Sequence, residues 1–77
     1  MKSDLSCLGE GESAVIQSIE ADEALHHRLR ALGFSAGKPI SVIRRGRFHG
    51  PLQVRVGMTD VILRRSDAAK IKIALPS

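Results

Sequence analysis

A chain of 77 residues is one small domain, residues 1–77, with no room for a second; at this length roughly 60% of the unfolded surface is buried on folding, so stability is modest. Apolar residues make up 43% and are mostly aliphatic, which excludes a disordered tail; the single cysteine, Cys7, excludes an internal disulfide and any cysteine-rich zinc or iron–sulfur site within one chain. A net charge of +4 favours nucleic acid, an anionic membrane leaflet or an acidic protein surface, while the admixed acids leave an ordinary mixed-charge surface open as well.

Leu5 and Leu8 lie three apart, so a short helical turn over Asp4 to Leu8 puts both on one side. "GEGE", Gly9 to Glu12, then reads as a turn, and Ala14 to Ile19 as a strand rich in Val and Ile. In "ADEALHHRLRALGFSAG" Asp22 predicts an N-cap, with Glu23 in the first turn suiting the dipole. Leu25, Leu29 and Leu32 follow at helical spacing as one buried stripe. Gly33 predicts a left-handed stop, which would bring Phe34 against Leu29 across the helix end.

The period then changes to alternation. Pro39 is expected at the first position of a strand that turns Ile40 and Val42 inward. "RRGRFHG", Arg44 to Gly50, reads as a loop, and Leu52, Val54 and Val56 as a half-buried strand. "GMTD" turns the chain, and Val61 and Leu63 begin another strand. "RRSDAAK" allows one helical turn capped by Ser66, and Ile71, Ile73 and Leu75 alternate along a last strand. The sum is mainly β with one to two short helices. Five short strands, with a helix after the first, are expected to curl into a small barrel whose open end the leucine-faced helix covers.

Several segments carry a resemblance. "RLRALGFSAG" (Arg28–Gly37), then "PISVIRRG", then "VILRRSDAAKIKI" (Val61–Ile73) resemble the ferrous iron transport protein A family, FeoA, and "LSCLGEGESAVIQSI" (Leu5–Ile19) is similar to that family's opening. The likeness covers nearly the whole chain in order. It implies a small cytosolic SH3-like domain that acts as an accessory or regulatory protein of bacterial ferrous iron uptake. The implied partner is the membrane ferrous-iron permease with its cytosolic GTP-binding domain. A related domain is fused to metal-dependent repressors, but this sequence offers no separate DNA-reading helix. One departure stands out: the middle loop reads "HGP", His49 to Pro51, where family members often carry an acid before the proline.

Two clusters are candidate sites. Arg45 and Arg47 beside Phe48 form the best contact patch, because arginine and aromatic anchors are favoured at interfaces. The competing reading folds Phe48 back as a plug for one barrel end. The second cluster is on the helix, where Asp22 and His26 are four apart, as are Glu23 and His27. Glu23, His26 and His27 are thus candidate ligands for a weakly bound zinc or iron. Two ligands do not complete such a site, so the rest would come from His49 or from a second molecule across a two-fold axis, as a homodimer. A plain solvated helix face is the alternative.

No nucleophile motif and no phosphate-cradling glycine loop is present, so no catalytic residue is assigned, an enzyme is not expected and no cofactor is required. There is no signal-peptide pattern and no apolar run of membrane length, so a cytoplasmic protein without membrane insertion is expected. Two further functions compete: a nucleic-acid-binding small β-barrel, supported by the basic balance, and a metal-responsive dimerising module. The first lacks a dedicated site, because single-strand readers stack bases on rings and only Phe34 and Phe48 are aromatic.

Overall fold

The computed structural model describes residues 3–75. In chain order the elements are β1 (Ser3–Asp4), a 3-10 turn (Leu5–Cys7), β2 (Ser13–Ile19), α1 (Glu23–Ala31), β3 (Pro39–Arg45), β4 (Leu52–Val56), β5 (Thr59–Leu63), α2 (Arg65–Ala68) and β6 (Ile71–Ala74). All neighbouring strands are antiparallel, in the order β1-β6-β2-β3-β4-β5. This corrects the expected five-stranded barrel. Among the described residues there are six strands in one open sheet, and its edges, β1 and β5, do not pair with each other. β1 is only two residues long and is recruited by β6, through Ser3 opposite Ile73 and Asp4 opposite Lys72. Such a pairing leaves no alternation to read. It also places α1 after the second strand, not the first.

Two bulges bend the sheet around a single core. Gln17 is the extra residue in β2, between the partners of Ile73 and Lys72, and Ile43 is the extra residue in β3, between the partners of Val54 and Gln53. A bulge adds twist and reverses which face each later side chain occupies. Before the bulge, Ile40 and Val42 point into the core as expected; after it, Arg45 is directly opposite the buried Leu52. The same face also carries Ala14, Ile16, Val54, Val56, Leu63, Ile71 and Ile73, all in one hydrophobic cluster.

α1 folds as its punctuation dictates. The Asp22 carboxylate accepts the Leu25 N–H at 2.8 Å. At the other end the Phe34 N–H donates to Leu29 O and the Gly33 N–H to Arg30 O, each at 3.0 Å, with Gly33 at φ 102°. This is a Schellman close, and it carries Phe34 into the core beside Leu29, both with no exposed surface. Burying Phe34 contributes about 3 kcal/mol. Leu25 packs at the core margin, but Leu32 is 37% exposed, so the expected three-leucine stripe is corrected. Leu32 is the C-cap, and the reversal at Gly33 gives the core position to Phe34 instead.

Two smaller expectations are also corrected. α2 starts two residues earlier than a Ser66 cap requires: the Arg64 carbonyl accepts the Asp67 and Ala68 N–H groups, and no side chain caps it. That phase buries Ala68 and turns Asp67 toward α1, where its carboxylate lies 3.7 Å from Arg28. Leu75 follows the end of β6 and is 67% exposed, so the alternation stops at Ile73.

Candidate functional site

The hairpin joining β3 to β4 carries the candidate contact patch. Gly46 N–H donates to Pro51 O at 2.8 Å, and Gly50 N–H to Arg47 O at 3.0 Å. Both glycines are demanded by crowding. A Cβ on Gly46 would lie 2.8 Å from Pro51 O, and one on Gly50 would lie 2.9 Å from Arg47 O. Between them Phe48 and His49 both adopt left-handed backbone, at φ 55° and 61°. Two consecutive positive φ angles under an i to i+3 bond have the character of a type I′ turn, which strongly favours Asn-Gly. A phenylalanine there is held against its preference, and such conformations persist only where the surroundings impose them.

The result is a ring held out in solvent. Phe48 is 96% exposed, so the plug reading is overturned: the left-handed turn throws the side chain outward. Arg44 and Arg47, also exposed, add positive charge near the tip.

The structure divides the three residues of the candidate patch. Arg47 and Phe48 share the tip. Arg45 is half-buried and turned to the other face by the Ile43 bulge. Its guanidinium donates to Ser6 O at 2.8 Å and also to Leu8 O. Its own N–H donates to the Glu10 carboxylate at 2.8 Å. Arg45 thus clasps the N-terminal 3-10 turn to the end of β3. No local pattern announces this, because the bonded partners are 35 to 39 residues away.

The helix residues are not drawn together. Glu23 and His27 lie on the exposed side of α1, and His26 is half-buried on its flank toward β2. Among the described residues no three His, Cys, Asp or Glu side chains are placed to hold a metal ion. His49, at the hairpin tip, therefore completes no ligand set within one chain. As for base stacking, Phe34 is fully buried, so Phe48 is the one phenyl ring the surface offers.

One strong exposed pair was also missed. Arg55 and Asp60 face each other across β4 and β5, with Nε to Oδ1 at 2.7 Å and a second bond at 3.1 Å. These hydrogen bonds hold the Asp60 carboxyl below its ordinary range and raise the Arg55 guanidinium. Among the described residues no helix is long and apolar enough to cross a membrane.

An open, bulged, antiparallel sheet with a helix after β2 and an exposed hairpin is a small SH3-like module. Comparison with known proteins makes this specific. A family profile described as the FeoA domain matches residues 4–75, and the chain belongs to that family. An Fe(2+) transport protein A/Fe(2+) transporter FeoB fusion protein of Porphyromonas gingivalis is 38% identical over 73 residues, which is 95% of this chain; the chain spans only 9% of that relative's length. FeoA from Stenotrophomonas maltophilia, an SH3-domain protein crystallised with zinc, is 36% identical, with a TM-score of 0.83 over 94% of this chain and 89% of the other. FeoA from Chlorobium tepidum superposes at a TM-score of 0.91 with 28% identity, over 97% and 71% of the two chains.

Proposed function

We propose that the protein is a cytoplasmic accessory of ferrous-iron uptake, docking on the cytosolic part of an iron permease through the tip of the β3–β4 hairpin. The observation that carries this reading is Phe48, fully solvated on a turn its residue type disfavours and flanked by Arg47. An aromatic anchor beside positive charge suits an apolar pocket with an acidic rim. The Porphyromonas gingivalis relative supports the choice of partner, since it joins this domain and a transporter in one chain. Docking alters transport only where the protein binds one permease state more tightly than another. The test is capture of the permease's cytosolic domain by the immobilised protein, with and without guanine nucleotide. Arg47→Ala and Phe48→Ala each weaken capture while leaving the melting temperature within a few degrees. Failure to bind in every nucleotide state defeats the proposal.

A second reading is favoured by the zinc complex of the Stenotrophomonas maltophilia relative. Glu23 and His27, one helical turn apart on the solvent side of α1, would supply two ligands from each of two chains across a two-fold axis. Light scattering with and without zinc tests it. A zinc-dependent dimer abolished by His27→Ala supports the reading, and an unchanged monomer ends it.

A further inference from the structure

A second surface has chemistry that the hairpin reading does not use. β2 pairs with β3 only from Ser13 to Val15, and the contact is extended by one residue, Ile16, which bonds Lys38 O at 2.9 Å and the Gly37 N–H at 2.8 Å. Beyond that point, from the bulged Gln17 to Ile19, β2 has no strand on its β3 side among the described residues. A groove of about 490 Å³ lies there instead, between β2 and α1. Ile19 and Ala36 give it apolar surface, with the buried Phe34 beneath. Its polar side chains are the Gln17 amide, the Ser18 and Ser35 hydroxyls, and two bases one turn apart on α1, His26 and Arg30.

Three features define what fits. The ionisable side chains lining the groove are both basic, with no carboxylate among them. Among the described residues neither is engaged in a salt bridge, since the two pairs formed are Arg28–Asp67 and Arg55–Asp60. The wall opposite the bases is a strand whose side toward the groove has no ladder partner. An extended chain can pair there through its backbone while its alternate side chains face α1.

We infer that this groove binds a short extended acidic segment of a partner protein, laid alongside β2 with its carboxylates on Arg30 and His26. Arginine supplies the fork that matches a carboxylate, and the hydroxyls of Ser18 and Ser35 serve as further donors. The site is separate from the hairpin tip, so the partner need not be the one that Phe48 engages.

The probe is the peptide acetyl-Val-Glu-Ile-Glu-Val-amide, titrated into the 15N-labelled full chain, beside the neutral peptide with Gln for Glu. The acidic peptide is expected to shift the amides of Gln17, Ser18, Ile19 and Ser35 saturably. The neutral peptide is expected to bind about tenfold more weakly, and Arg30→Gln to weaken the acidic peptide by a similar factor, the effect of losing one charge-assisted hydrogen bond. Phe48→Ala is expected to bind the peptide as the unmodified chain does, which keeps this test distinct from capture of the permease. Arg30 is exposed, so the variant's remaining amide spectrum reports whether the fold is intact. Equal binding of both peptides, unchanged binding by Arg30→Gln, or no shift at millimolar peptide overturns the inference. So does competition by inorganic phosphate with the same amide shifts, because the groove would then be a small-anion site.

Discussion

Replacing Arg45 with alanine separates a structural clasp from a contact residue. The guanidinium donates to Ser6 O and Leu8 O, and both bonds are partly buried. Hydrogen bonds from a charged donor are worth about 1.5–3 kcal/mol when one partner is deleted. Water can reach part of this site, so the two together are expected to cost about 2 kcal/mol, not the full sum. For a domain of this size, with a total stability of about 4–12 kcal/mol, that is a large share. It corresponds to a fall in Tm of about 8–16 °C. The assay is urea unfolding followed by circular dichroism, with Arg47→Ala as the control, which is expected to lie within about 0.5 kcal/mol of the unmodified chain. The midpoint should fall for Arg45→Ala with an unchanged slope, since the same surface is exposed on unfolding. Arg45→Lys should recover part of the loss, because one ammonium can still reach one carbonyl. If Arg45→Ala unfolds with Arg47→Ala while losing partner capture, the clasp has been misread and Arg45 belongs to the contact patch.

The hairpin makes two more expectations of opposite sign. Gly46→Ala sets a methyl 2.8 Å from Pro51 O and is expected to destabilise by about 2 kcal/mol, read as a lower Tm. His49→Gly relieves a left-handed residue at φ 61° and is expected to stabilise by about 1 kcal/mol; a destabilised variant would mean that the His49 side chain makes a bond that outweighs the strain. Asp60→Asn tests the cross-strand pair by pH. The Arg55 hydrogen bonds depress the folded carboxyl, so their contribution is complete above the unfolded value near 3.8 and disappears as pH falls through the lower folded one. Stability curves of the variant and the unmodified chain should therefore run apart at neutral pH and converge below about pH 4. A constant gap down to pH 2 would remove the linkage.

What could be read beforehand was local. Asp22, Gly33 and Phe34 define both ends of α1 because caps act over three to five residues. Pro39, Ile40 and Val42 set the start of β3 for the same reason, as simple alternation holds until something interrupts it. The interruptions were not legible. Nothing in "PISVIRR" marks Ile43 as an extra residue, yet it decides that Arg45 faces inward with Leu52. Ser66 looked like a cap because its residue type suits one, but burial of Ala68 sets the phase of α2. Whether the sheet closes depends on how β1 and β5 lie, and two residues of β1 carry no period. The hairpin tip was half legible: two glycines around "RFH" signal a tight reversal, but not the outward throw of Phe48, which follows from backbone angles that sequence disfavours.

The pairing of β1 with β6 has an architectural consequence. Ser3 and Ile73 are register partners in an antiparallel ladder, so the described ends of the chain run side by side, about 5 Å apart at that pair. A polypeptide can therefore enter and leave through one doorway, and the module can be spliced into a larger protein without stretching its sheet. A permutant whose old ends are bridged by a few Gly and Ser residues, and whose new ends open elsewhere on the surface, should still assemble.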